Sequence, residues 1–468
     1  MTVTSRTPLQ SDLEQLPHLL QLALQESQDF LQALPEQAAH PGLSIPTPEP
    51  LSETGLGAEA ALSRFIQRYR HTLSGSAGAR YLGFVVGGST PAALMGDWLV
   101  GAYDQNLSNE TTGATAVERE ALGWLRTLFG LSDAHKGSFV SGATMSNFVG
   151  LAIGRQWVAH QKGINAALEG LQGLNVQILS GAAHSSVFKA ASMLGIGRKQ
   201  IRQVALLPDR EAVDISALET ALQQMKGEPC IVVANSGTVN TVDFDDLNLI
   251  VALKERYNFF LHVDAAFGGF AACSPRHQHL VDGLNDADSI TIDAHKWLNV
   301  PYDSAMQFTR HQFLQAEVFQ NAGAAYLGTV TENPDFNHLT PENSRRFRAL
   351  PAWMTLAAYG KQGYQEIIER NVESARNLGE KLGKTTPFEL LAPVRLNVVC
   401  FTLKNASSMQ DIQAFLHLLH QTGEVFMTPT VYQGRAAIRA AFSNWRTQDE
   451  DVERVFQALV QTAEKQNH

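Results

Sequence analysis

Several short apolar runs in this sequence stop at residues that can do chemistry. "SITIDAHKW", Ser289 to Trp297, delivers His295 and Lys296 where a strand-like alternation ends. A lysine there is costly as a buried ammonium, but a neutral amine is a nucleophile toward a carbonyl carbon. "FFLHVDAAFGGF" ends its apolar run on Asp264, a carboxylate that needs a positive or hydrogen-bonding partner. "NVQILSGAAHSSV" places His184 just past another run, and "IVVANSGTVNT" puts Ser236, Gly237 and Thr238 in a turn. "SFVSGATMSNFVG" opens a helical pattern with Gly142, Ala143 and Thr144, small residues that leave backbone N–H groups free for an anion. Read singly, Asp264 is equally a helix cap, and His184 an ordinary first-turn residue.

Read together, the run ends supply a phosphate cup, a flat imidazole, a buried carboxylate and a lysine. Pyridoxal 5'-phosphate needs that set. Its aldehyde condenses with a lysine amine, its ring nitrogen stays protonated opposite a carboxylate, and its phosphate takes backbone N–H groups and hydroxyls. The elements that must hold these residues alternate. Val176–Leu179, Ile231–Ala234, Phe259–Val263 and Ser289–Ile292 read as strands, with helical pattern such as "DDLNLIVALKERYN" between them. Such alternation predicts an α/β fold with a mostly parallel sheet, whose ligands lie beyond the carboxyl ends of its strands.

Around this core, Leu13, Leu16, Leu19, Leu20, Leu24 and Leu31 recur at helical spacing, predicting one amphipathic helix. Prolines from Pro35 to Pro50 mark a linker, and a second helix is expected over Ala58–Leu73. After Pro351 a long or broken helix leads into a small C-terminal α/β domain. The expected organisation is an N-terminal helical segment over 1–88 that packs in a dimer, a large cofactor-binding domain over 89–355 and a small domain over 356–468.

The 468 residues carry a net charge of −10, which disfavours nucleic acid or an anionic membrane as partner. Three scattered cysteines, Cys230, Cys273 and Cys400, form no CxxC pattern, so a disulfide framework or zinc site is not expected. His277 and His279 in "RHQHL" read as a solvated loop rather than metal ligands. Without an apolar leader or a membrane-length run, the expected setting is cytoplasmic.

"HVDAAFGG" and "DAHKWLNVPYDSAM", with Asp264 and Lys296 32 residues apart, resemble the group II pyridoxal-phosphate amino-acid decarboxylases, which include aromatic-L-amino-acid, histidine and glutamate decarboxylases. The resemblance runs from "GSTPAALMGDWL" to "AFSNWRTQDEDVERVF". It implies the aspartate-aminotransferase-like fold (fold type I), a homodimer, and removal of the α-carboxylate of an L-amino acid as carbon dioxide to leave the amine. By the same resemblance Lys296 would hold the cofactor covalently, Asp264 would pair with its ring nitrogen, and Ala266 and His184 would lie on opposite ring faces. Ala143, Thr144 and His295 would approach the phosphate, and Thr238 would make a further contact. Tyr326, before Leu327 in a small-residue loop, matches the tyrosine that protonates the substrate Cα.

The sequence departs from the family at three places, one of them the segment after Lys296, which is about one residue shorter than in the aromatic branch. Asp293 stands where the family usually has asparagine, and a carboxylate repels a phosphate, so that contact is not carried over. Val86 stands where the aromatic branch has a substrate-side threonine. An aminotransferase or lyase on the same fold would share Lys296 and Asp264 but break a different bond, and a non-catalytic interaction protein is the alternative of another class. No GxGxxG follows an early strand, which disfavours a nicotinamide dehydrogenase.

Overall fold

The computed structural model describes residues 7–42, 45–109, 112–321 and 333–466. The leucines of the first stretch form two helices rather than one, α1 (Pro8–Glu14) and α2 (Leu16–Ala33). Pro17 lacks an N–H to donate and is tolerated in the first turn of a new helix, so the first one stops before it. α3 (Ala58–Tyr69) closes in a 3-10 turn through Thr72. None of these three helices has a buried residue, and Leu9, Leu13 and Leu20 stand exposed.

α4 (Pro91–Tyr103) and α5 (Ala114–Leu128) lead into the main sheet. There follow β1 (Lys136–Val140), α6 (Ala143–His160), α7 (Ala166–Glu169), β2 (Ile178–Ser180), α8 (Ser185–Met193) and β3 (Ile201–Gln203). Then come α9 (Ile215–Gln224), β4 (Cys230–Asn235), α10 (Leu247–Leu253), β5 (Phe259–Asp264), β6 (Ser289–Ile292), β7 (Ala305–Thr309) and α11 (Gln312–Phe319). The seven strands lie in the order β1-β7-β6-β5-β4-β2-β3. β2 to β6 are mutually parallel, and β7 runs antiparallel between β1 and β6. Every residue of β4 and β5 is buried, the signature of a parallel sheet covered on both faces, and this is why their sequences are near-continuous apolar runs.

α12 (Ala349–Gly383) spans the boundary expected at 355/356 and breaks at Gly360, whose φ of +57° is left-handed. The remaining chain forms an antiparallel sheet in the order β10-β11-β9-β8, from β8 (Phe388–Leu390), β9 (Val398–Leu403), β10 (Thr428–Tyr432) and β11 (Arg435–Ala441). α13 (Met409–Gln421) and α14 (Asp449–Gln466) cover it, with Phe401, Phe415 and Leu459 in their shared core. The "RHQHL" stretch is only partly the solvated loop expected: Arg276, Gln278 and His279 are exposed, but Gln278–Val281 form a 3-10 turn and His277 is buried before it.

Candidate active site

The carboxyl ends of β2, β4, β5 and β6 open on one cavity of about 750 Å³. Lys296, His295, Asp264, Ala266, His184, Ala143, Thr144 and Thr238 all line it. Eight residues spread across the sequence therefore converge because parallel strands end on the same side of a sheet. Tyr326 lies outside the described residues. Val86 is buried but is not part of this lining; its carbonyl accepts from Ser443 Oγ at 3.0 Å.

Lys296 sits on a one-turn π-helix, Ala294–Leu298, directly after β6 and Asp293. Trp297 anchors that turn. Its indole is fully buried and donates from Nε1 to Asn371 Oδ1 of α12 at 2.8 Å. The next residue along a tight turn points elsewhere, so burying Trp297 leaves Lys296 free to face the cavity. Lys296 Nζ lies 3.6 Å from Asp293 Oδ2 and 5.3 Å from the centre of the Phe267 ring. Gly87 packs on the Lys296 carbonyl so closely that a Cβ would overlap it. The His295 ring packs on Tyr302, with centroids 4.5 Å apart, and burial holds its basicity below the usual imidazole value.

Asp264 is held on both oxygens. Oδ2 accepts from Asn147 Nδ2 at 2.9 Å, and Oδ1 accepts from the Ala266 N–H at 3.2 Å. The same Asn147 Nδ2 donates to Ser186 Oγ at 3.0 Å. Asn147 Oδ1 faces His262 Nε2 at 2.8 Å, and His262 Nδ1 faces Ser289 Oγ at 2.6 Å. With its amide oxygen toward Nε2, Asn147 assigns the proton to Nε2, and the Ser289 hydroxyl donates to Nδ1. Burial pushes the His262 pKa down to about 4, so the ring is neutral. His184 caps α8, its Nδ1 accepting from the Ser186 N–H at 3.3 Å and lying 2.8 Å from Ser186 Oγ. Burial again lowers its pKa. A continuous chain thus links His184, Ser186, Asn147, Asp264 and His262.

Thr238 Oγ1 donates to Glu211 Oε2 at 2.6 Å. Glu211 also accepts from Thr241 Oγ1 at 2.8 Å and Asn240 Nδ2 at 2.8 Å. Gly237, at φ +99°, lets this turn lie against Gly268, whose Cα would be 2.8 Å from an added Cβ. Asn147, Ser186, His262 and Glu211 are site residues that the sequence reading missed. One signal was present: His262 and Asp264 are two apart on a strand and share a face. Glu211 had none, since its partners come from a loop 27 or more residues away.

The arrangement fits pyridoxal phosphate on its own chemistry. One amine, one fixed carboxylate, one neutral imidazole and the amino end of the 18-residue helix α6 meet in a single cavity. A family model described as the pyridoxal-dependent decarboxylase conserved domain matches residues 81–404. An aromatic-L-amino-acid decarboxylase of Bacillus atrophaeus is 27% identical over 401 residues, covering 82% of this chain and 81% of that protein. An L-2,4-diaminobutyrate decarboxylase of Rhizobium meliloti (strain 1021) is 29% identical over 431 residues, covering 89% and 84%. The crystal structure of Oryza sativa TDC with PLP and tryptamine superposes with a TM-score of 0.88 at 21% identity, covering 97% of this chain and 98% of that one. At that identity the likeness speaks for the fold alone.

Proposed function

The chain belongs to the pyridoxal-dependent decarboxylase family, and from that premise we propose how its residues divide the work. It is a pyridoxal-phosphate-dependent carboxy-lyase acting on an amino acid, built on the aspartate-aminotransferase-like fold. Bound in the cavity, pyridoxal phosphate supplies an electron sink for the pair left at the substrate Cα when carbon dioxide departs.

Lys296 would hold the cofactor through its amine. Asp264, fixed by Asn147 and the Ala266 N–H, keeps a proton on the ring nitrogen; a carboxylate already held on both oxygens needs no reorganisation to do so. His184 would lie on one ring face as a neutral imidazole and Ala266 on the other. Ala143 and Thr144 at the start of α6 would hold the phosphate, with His295 beside it. Thr238, held by Glu211, supplies a further cofactor contact. Tyr326 delivers the proton to Cα. The observation that carries this reading is the convergence of Lys296, Asp264 and His184 on one cavity.

The substrate is an L-amino acid. Aromatic and diamino acids are the first classes to offer, because relatives named for both share similar identity with this chain. We also read residues 1–88 as a dimer-packing segment of a homodimer, supported by the exposed leucines on α1 and α2. A cytoplasmic setting fits the three free, buried cysteines. Among the described residues no helix is long and apolar enough to cross a membrane.

Borohydride reduction followed by peptide mapping tests the site. The pyridoxyl group is expected on Lys296, and its appearance on another lysine would overturn the assignment. Product analysis over the L-amino acids tests the reaction: amine with carbon dioxide supports it, and a keto acid points to transamination. Sedimentation of the purified protein checks the dimer, and replacing Leu13 and Leu20 by glutamate is expected to shift it toward monomer.

A further inference from the structure

The carboxylate of Asp293, the residue that stands where the family usually has asparagine, lines the same cavity as Ala143 at the start of α6. Asp293 is 2% exposed. Its Oδ1 is 3.3 Å from His295 Nδ1 and finds no hydrogen-bond donor among the described residues. His295 Nδ1 itself accepts the Ser304 N–H at 3.2 Å, so two lone pairs face each other across that gap.

An incoming phosphate would meet this anion at close range. A carboxylate and a phosphate close together in a buried site repel each other, because little solvent screens them there. The groups around Asp293 do little to offset that. Lys296, on the same turn, is the nearby cation, and its charge is spent when its amine condenses with the aldehyde. His295 on that turn and His184 at the start of α8 are both held toward neutrality by burial. Asp264 at the end of β5 adds a second negative charge. The loop before β7 contributes Tyr302 and Asp303, neither of them a cation.

We propose that Asp293 takes up one proton as the cofactor loads, so that its carboxyl becomes a neutral donor in the phosphate cup and cofactor affinity falls as pH rises. The balance is simple: one proton leaves solvent and binds one Asp293 carboxylate oxygen; with pyridoxine 5'-phosphate no other bond changes, whereas the aldehyde of pyridoxal phosphate would also condense with the Lys296 amine and release water. Burial already pushes the Asp293 carboxyl above the usual carboxylate range, against the pull of Lys296 and His295. The inference rests on the phosphate position read above.

The test compares the wild type with Asp293→Asn, using pyridoxal phosphate and pyridoxine 5'-phosphate. The second probe keeps the ring and phosphate but has no aldehyde, which separates the cup from the lysine. Binding is titrated from about pH 7 to 9, above the second phosphate pKa of about 6. The wild-type affinity is expected to weaken with pH more steeply than the variant's, by up to about tenfold per pH unit, so that the variant binds tighter at the upper end. An infrared difference spectrum of the wild type on loading pyridoxine phosphate is expected to gain the C=O stretch of a protonated carboxyl, and this measurement decides should the variant not fold. Superimposable pH profiles, or no new carboxyl band, would overturn the inference. Failure of the wild type to bind either probe at any pH would instead overturn the cofactor site, and the inference with it.

Discussion

Asp264 shows what a single residue can be asked to do. Asp264→Asn is expected to leave the covalent link to Lys296 intact while lowering turnover about a hundredfold, or about 2.7 kcal/mol of transition-state stabilisation. A neutral amide cannot hold the ring nitrogen protonated, and steady-state kinetics beside the absorbance of the bound cofactor would show the two effects apart. Tyr326→Phe should spare carbon dioxide release more than amine formation. Without its phenol the electron pair at Cα waits longer for a proton and reacts with oxygen, giving aldehyde, ammonia and peroxide; loss of a positioned donor costs on the order of a hundredfold. Following carbon dioxide, amine and aldehyde together under air measures that partition, and unchanged amine yield would assign the proton to another group. Lys296, Asp264 and His184 were legible in the sequence because each ends or follows a strand within a recognisable motif. Asn147 and Ser186 were not, because an amide and a hydroxyl acquire meaning here from what faces them across the fold. Asp293 was legible as a departure, but its burial with an oxygen left without a donor among the described residues was not.

Among the elements, β4, β5 and β6 were readable from their apolar runs, whereas β1, β3 and β7 were not. β3 is three residues, Ile201–Gln203, with two of them exposed, and β7 buries Gln307, which breaks its apolar pattern. The expected first helix became two because one proline outweighed a continuous leucine spacing. The turn after β1, by contrast, was readable because Gly142 and Ala143 end one periodicity and begin another. Holding the elements in place is a buried ion pair between α5 and the segment before α12. Arg345 donates to Glu118 from Nη1 at 3.0 Å and Nη2 at 2.7 Å, and also to the carbonyls of Leu107 and Phe139. Arg345→Met is expected to destabilise the protein by about 3–5 kcal/mol, since it strands a buried carboxylate. Denaturant unfolding should show the double variant Glu118→Leu/Arg345→Met recovering part of that loss.

At the scale of the whole molecule, buried titratable groups set how acid acts on stability. The His262 pKa is pushed down to about 4, against about 6.5 when unfolded. The unfolded chain therefore binds the proton first, and the stability due to this group is present above about pH 6.5 and lost as pH falls toward 4, by about 3 kcal/mol in all. Asp245 acts the other way: burial raises its pKa to about 6, so it favours the folded state as pH falls below that value. His262→Asn should reduce the acid-induced loss seen in wild-type unfolding curves by about that 3 kcal/mol, and NMR of the His262 ring should show no titration above about pH 5. The site also has a gauge. α6 places Ala143 in the cavity lining, at the end proposed for the phosphate, and, one turn on, Asn147 against Asp264. Four residues of helix measure about 6 Å along the axis, so a single rigid rod sets the spacing between the two ends of the proposed seat. One residue inserted between them would swing Asn147 by about 100° around the axis, so that Asn147 would release Asp264 and the calibrated interval between the two ends would be lost.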